Sequence, residues 1–452
     1  MYGKPMTSGS PLKHILLFSA PVLLGSLLQQ LYGVVDSFVV GNYSGQDSLS
    51  AVGTTVPFSF LFLAIAMGFS IGNGILVSQS YGANDEEKVR SSAAVGILLL
   101  FGMGIAATLV GFAVARPAFV WYVRTPEEIL GLTLQYFYVY LIGLVFQFGY
   151  NIFAATLRAV GDGASTLYFL VVSTLVNVAL DFLFVAVFRW GVVGAAAATD
   201  VAQAVSCFCA WIYMDRKYPV FRFRLRDYRW DWGVAKRTLV VGTPAFLHLA
   251  IVSIGVTVLQ RGVNGFGKVM IASYAVGRQF ELFLNFPSHA LQTALATFTG
   301  QNVGAGKLDR VKQGTCQTAL ASLGFTFFIS VFLYSQAGFF ASCFALDETA
   351  TGYCVRHIRA ITIINLVLSC YLPVFGTFQG TGHSGIPALV APSALALRCL
   401  AMHFFGHSPF LGYTVVWWNG IFGFGVGFLI TWGYYFSGLW KRGLVAKRER
   451  AN

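Results

Sequence analysis

Charge is what this chain has least of. Asp, Glu, Lys and Arg make up 11% of its 452 residues, against 56% hydrophobic residues. A soluble domain averages about 25% charged residues, and no soluble fold of this length hides so much apolar surface. Acids are scarcer than bases, 18 against 30, for a net charge of +12. In a soluble protein that excess would suggest nucleic acid. Here the basic residues gather in connections and at the chain ends, as membrane orientation demands, so nucleic-acid binding is excluded. The seven cysteines form no C-x-x-C pair and fall in or beside apolar segments, as small buried residues do. The seven histidines show no metal-ligand spacing. His403 and His407 are four apart, but no acid accompanies them. A polytopic membrane enzyme, which would need such a cluster at a helix end, is therefore disfavoured. The first apolar segment runs on into Asp36, so a retained first helix is expected there rather than a signal peptide.

Long apolar runs, by contrast, are everywhere. A bilayer core of about 30 Å needs about 20 helical residues. Runs of that length occur at 14–41, 54–80, 91–115, 128–158, 164–187 and 190–214. After a polar break, DRKYPVFRFRLRDYRWDWGVAKR, six more occur at 238–262, 272–299, 313–337, 354–378, 385–406 and 411–438. Continuous runs exclude a strand barrel, which would alternate. The termini and even-numbered connections hold 21 of the 30 basic residues, the odd-numbered ones five. Both termini and the central break are thus expected on the cytoplasmic side. The expected division is a six-helix lobe at 1–214, a basic cytoplasmic linker at 215–237, a second six-helix lobe at 238–440 and a basic cytoplasmic tail at 441–452.

The two halves echo each other. QSYGANDEEKVR (79–90) matches QNVGAGKLDRVK (301–312) at an offset of 222, TLRAVGDGAST (156–166) matches TFQGTGHSGIP (377–387) at 221, and Pro21 answers Pro244. Halves with an even number of crossings enter the membrane with the same orientation and are related by an axis along its normal. This predicts an all-α polytopic membrane protein of twelve transmembrane helices in two pseudo-symmetric lobes. Rocking of one lobe against the other would suit a transporter.

Acids inside such helices stand out, since a carboxylate at a helix centre costs roughly 2.5–3.5 kcal/mol on insertion scales. Gln29, Tyr32, Gly33 and Asp36 share one face of the first helix, spaced by three, four or seven. The fifth carries Asn177 and Asp181 one turn apart, and the sixth carries Thr199 followed by Asp200. At about 1.5 Å per residue from the outer ends, Asp36 lies about 7 Å deep, Asp181 about 9 Å, Thr199 about 13 Å and Asn177 about 15 Å. Two carboxylates, an amide and a hydroxyl are hard oxygen ligands for a small cation such as Na⁺. Two neighbouring acids also repel, which favours taking up a proton. Asn151 on the fourth helix is a neighbour closer to the cytoplasm. The second half keeps the scaffold without these acids. Its chief acid, Glu281, follows Arg278 by three and reads as a structural pair; with the Arg engaged elsewhere, Glu281 would face substrate.

PVLLGSLLQQLYGVVDSFVVGNYSG, AVGTTVPFSFLFLAIAMGFSIGNGILVSQSYGA, LRAVGDGAS with NVALD, and TFTGQNVGAGKLDRVKQG resemble the multidrug and toxic compound extrusion (MATE) family, from Pro11 to Trp440. The resemblance implies two six-helix lobes and export of organic compounds against inward Na⁺ or H⁺. It assigns Asp36, Asn177, Asp181 and Thr199 to a cation site, with Gln29 and Asn151 in support; the shared face of the first helix adds Tyr32 to that polar network. Acids that some relatives carry on the seventh and tenth helices are missing here. The expected protein is a monomeric inner-membrane antiporter without a cofactor, moving amphipathic, often cationic, organic substrates. A flippase for a lipid-linked precursor is the rival; it would need a strongly basic cavity, and only Arg278, Arg356, Arg359 and Arg398 lie in the second half's helices.

Overall fold

A computed structural model describes residues 5–224, 227–344, 346–406, 408 and 412–442. The basic tail beyond 442 and His407 lie outside the described residues. The first half holds α1 (Pro11–Ser44), α2 (Gln46–Gly82), α3 (Glu86–Pro117), α4 (Glu127–Ala159), α5 (Gly163–Asp181) and α6 (Gly191–Lys217). The second holds α7 (Trp232–Asn264), α8 (Lys268–Gly304), α9 (Leu308–Ser335), short α10 (Ala337–Ser342), α11 (Glu348–Tyr371), short α12 (Val374–Thr381), α13 (Gly385–Phe405) and α14 (Val415–Ser437). There is no strand among the described residues. Among the described residues eleven spans are long and apolar enough to cross a membrane. The twelfth crossing is α8, which matches them in length but is diluted by Arg278, Glu281, His289 and Gln292. The sequence expectation of twelve helices therefore holds, the 272–299 run falling within α8.

Local chemistry sets the helix ends. Asp85, Asp162 and Asp347 cap α3, α5 and α11 by accepting from the backbone N–H of Lys88, Ser165 and Ala350. The turn after α2 has Asn84 at φ 58° where the turn after α8 has Gly306 at φ 74°. Both residues tolerate this left-handed position, and they stand 222 residues apart.

The described residues form two compact units, one of Pro5 and those within 24–246, the other of 6–23 and those within 247–442. Passage between them thus falls inside α1 and α7, within three residues of Pro21 and Pro244, rather than in the 215–237 segment. Proline interrupts a helix's hydrogen bonding, so these are natural points for the path to change. Within the first unit α2 packs on α3 and α4, α4 on α6, and α5 on α6; within the second α8 packs on α9, α11 and α12, α11 on α14, and α13 on α14. The packing scheme is the same twice.

Helices in lipid associate through close packing rather than water exclusion, so small residues mark their crossings. In the first unit, α7 lies on α2 where a Cβ on Gly68 would come 2.5 Å from Phe246 Cα, and one on Gly72 2.7 Å from Gly242 Cα. The 222 offset turns Gly68 and Gly72 into Ala290 and Ala294, and there the start of α1 packs Ile15 and Phe18 against Leu291, Ala294, Leu295 and Phe298. The segment before α1 is tied down as well. Met6 N–H donates to Gln301 Oε1 at 2.8 Å, and Arg310 donates to the carbonyls of Met6 and Gly9.

Candidate functional site

Three helices of the first unit converge on Thr199. Its hydroxyl lies 3.0 Å from the Tyr32 hydroxyl of α1 and receives the Asn177 Nδ2–H of α5 at 3.5 Å. One turn beyond Tyr32 on α1 is Asp36, and one turn beyond Asn177 on α5 is Asp181. The two carboxylates lie within electrostatic reach of each other and of Tyr32. Asn177 and Asp181 are fully buried. Asp36 Oδ1, Asn177 Oδ1 and both carboxylate oxygens of Asp181 are sealed from solvent and accept no hydrogen bond. A buried acceptor left without a donor costs about 1–3 kcal/mol, and more when charged. Four such oxygens in one place need something positive, and the donor set of two carboxylates, an amide and a hydroxyl suits a hard cation or a proton. The residues present therefore fit the expected coupling ion. By contrast, no group of three His, Cys, Asp or Glu that could hold a metal occurs among the described residues.

Two sequence candidates stand apart from this cluster. Asn151 donates to the Gln147 carbonyl of its own helix at 2.8 Å, and Gln29 is exposed. Arg278 and Glu281 lie on α8 in the second unit and form no ion pair with each other, which leaves the i, i+3 pairing expected from sequence unmade.

Two features escaped sequence reasoning. Phe182–Val187 is a π-helical turn beginning directly after Asp181, and such wide turns often sit at functional sites. Asp200 points away from Thr199 toward α4, where its carboxylate fills the space a Cβ on Gly143 would occupy. Asp200 also lies within electrostatic reach of Tyr136 and Tyr140, and Tyr140 donates to Gln147 Oε1 at 3.1 Å. The one available signal was a glycine inside an otherwise bulky α4 stretch.

A separate network closes the linker side of the first unit. Asp162 Oδ2 accepts from Tyr213 at 2.9 Å, Lys217 at 3.0 Å and Tyr218 at 2.5 Å. Burial alone would raise the Asp162 carboxyl, but those hydrogen bonds and the Lys217 charge outweigh it and hold it below the usual carboxylate range. At the 221 offset stands His383, 3.2 Å from Thr381 Oγ1 and beside the Tyr434 ring. Burial pushes its imidazole below the usual histidine range.

Two like helical units, each repeating one packing scheme, with unpaired acids in the membrane-spanning part of the first, define a polytopic membrane transporter. The MatE family model matches residues 21–183 and 244–401, and the chain belongs to that family of transporters. Among curated relatives it is similar to the probable multidrug resistance protein YoeA of Bacillus subtilis, 26% identical over 95% of this chain and 94% of that protein. It is also similar to B. subtilis YpnP, named likewise, at 29% identity over 68% of each. Among solved structures it superimposes on a MATE protein in the bent conformation with a TM-score of 0.90 at 22% identity, covering 97% of this chain and 98% of that one. A Pyrococcus furiosus transporter of the MOP superfamily, described as having a binding pocket of reverse polarity, gives 0.89 at 23% identity over the same shares. At these identities the structures speak for the fold.

Proposed function

We propose that the chain is a cation-coupled antiporter that exports amphipathic, often cationic, organic compounds across a cell membrane, its termini and basic linker on the cytoplasmic side. The multidrug names of its relatives support the substrate class, and the basic-residue asymmetry supports the orientation. The observation that carries the coupling is the set of four donorless oxygens on Asp36, Asn177 and Asp181. An incoming H⁺ or Na⁺ neutralises Asp36 and Asp181, with Thr199, Asn177 and Tyr32 completing the set. Cation arrival removes the repulsion between the carboxylates, so α1 repacks against α5 and α6, and its movement alters the surface offered to the organic substrate. Ion and substrate then favour different arrangements, which makes exchange obligatory.

The test is efflux of a fluorescent cation from proteoliposomes under imposed Na⁺ or pH gradients. The parent shows gradient-driven efflux, with the effective gradient naming the ion. Asp36→Asn and Asp181→Asn each lower it about tenfold or more, since 1.4 kcal/mol of lost ion preference already gives that factor. Gradient-driven efflux that survives both substitutions refutes the coupling site.

A further inference from the structure

One guanidinium of the second unit lies well inside a membrane-spanning helix without an acid to match it. Arg398 belongs to α13, and a charge at such depth costs about 2.5–3.5 kcal/mol on insertion scales. Its Nε donates to Asn419 Oδ1 at 2.8 Å, and its guanidinium carbon stands 5.2 Å over the Phe424 ring centroid. Asn419 is itself 2% exposed, so this is a built contact. Among the described residues Arg398 forms no ion pair, and its two terminal nitrogens donate no hydrogen bond.

Around it stand two phenols and the His357 ring, whose Nδ1 is buried without a partner. The stem of Arg398 crosses α14 at Gly423, where a Cβ would come 2.8 Å from its Cγ. One turn along, a Cβ on Gly427 would come 2.7 Å from the Tyr371 hydroxyl. The stripe Asn419, Gly423, Gly427 thus seats Arg398 and the Tyr371 phenol in line, with roughly 6 Å between successive positions. Tyr274, stacked on His357 with centroids 5.0 Å apart, supplies a second phenol. Both tyrosines are buried in the same core and lie within electrostatic reach of Arg398, and neither hydroxyl has a hydrogen-bond partner among the described residues. Arg278 and Glu281 of α8 also reach Tyr274, but Glu281 leaves Arg398 unpaired.

We propose that Arg398, Tyr371 and Tyr274 form an oxyanion site that takes the carboxylate or phosphate head of an amphiphile. The two free nitrogens of a guanidinium match two oxyanion oxygens side by side, which an ammonium does not reproduce, and the phenols supply further donors. As cargo recognition this rests on the transport reading above, and it extends the substrate class to anionic and zwitterionic amphiphiles.

Binding, read without any ion gradient, tests it independently of coupling. Full-length protein in neutral detergent is titrated by fluorescence with dansyl-undecanoic acid and with its uncharged primary amide. The parent binds the acid about tenfold tighter than the amide, as one charge-assisted hydrogen bond gives. Arg398→Gln erases the preference, Arg398→Lys keeps part of it, and Tyr371→Phe reduces it about threefold. Equal binding of acid and amide by the parent overturns the proposal, as does an unchanged preference in folded Arg398→Gln. If Arg398→Gln fails to fold, an unchanged preference in Tyr371→Phe overturns it instead. Displacement of the acid by dioctanoyl phosphatidylglycerol, but not by the choline lipid, assigns the site to a lipid head; no displacement by either assigns it to cargo. Both results keep the oxyanion chemistry, and loss of efflux in Asp36→Asn leaves them untouched.

Discussion

In the first unit α1, α5 and α6 carry Asp36, Asp181 and Asp200; in the second α8, α11 and α13 carry Arg278, Arg356, Arg359 and Arg398, with Glu281 their one acid beyond the first helical turn. The partners differ as sharply as the charges. In the first unit Tyr32 and Asn177 meet at Thr199 one turn from Asp36 and Asp181, and four oxygens of Asp36, Asn177 and Asp181 are left with no donor. In the second, Arg356 stands over the Trp417 ring at 5.9 Å, Arg359 over Tyr334 at 5.3 Å and Arg398 over Phe424 at 5.2 Å. An aromatic face stabilises a cation by about 0.5–2 kcal/mol without neutralising it. The same helix packing therefore supports opposite electrostatics. Negative charge is left beside oxygens without donors, while positive charge rests on aromatic rings.

The comparison breaks most easily at its acids. Asp181→Asn is expected to lower ion-driven efflux about tenfold or more, whereas Glu281→Gln leaves it within about twofold. Efflux assays on both variants decide it, and a Glu281 effect equal to that of Asp181 would end the claim that coupling belongs to one unit.

A smaller effect is expected at the crossings. Gly72→Ala brings a methyl to 2.7 Å from Gly242 Cα, an overpacking that costs about 1–3 kcal/mol. Ala294→Gly, its counterpart, removes one methyl from the Phe18 contact and costs about 1 kcal/mol. Thermal unfolding in detergent should order the two variants that way. A reversed order would show that α7 and α1 are held by different rules.

The mildest contrast is in acid sensitivity. The imidazole of His383 is held below its ordinary 6.5, so the unfolded chain binds more protons and stability falls as pH drops below about 6.5. The Asp162 carboxyl is held below its ordinary 3.8, so its contribution is fully present above about pH 4 and fades only below that. Unfolding followed against pH should lose the first loss in His383→Gln and the second in Asp162→Asn.

Much of this was legible in the sequence because a bilayer permits few solutions. Apolar runs located every crossing, α8 included, although Arg278, Glu281, His289 and Gln292 dilute it. Spacing by four also brought out Tyr32 with Asp36 and Asn177 with Asp181, since a helix turn fixes which side chains are neighbours. Contacts between distant segments were not legible. Nothing local says that Asn151 bonds its own helix or that Asp200 turns to Gly143. The π turn after Asp181 depends on neighbouring helices, and FLFVAV gives no local sign of it.

Residues 6–23 complete the core built from described residues of 247–442, and 232–246 complete the one built from 24–217. A gene cut within the basic segment would therefore yield two fragments, each carrying a piece its own bundle cannot use and missing one it requires. For the same reason, if duplication produced this chain, its single-length ancestor could have finished its fold only as a dimer trading helix ends. Fusion would have made that trade permanent, leaving each copy free to lose what the other retained.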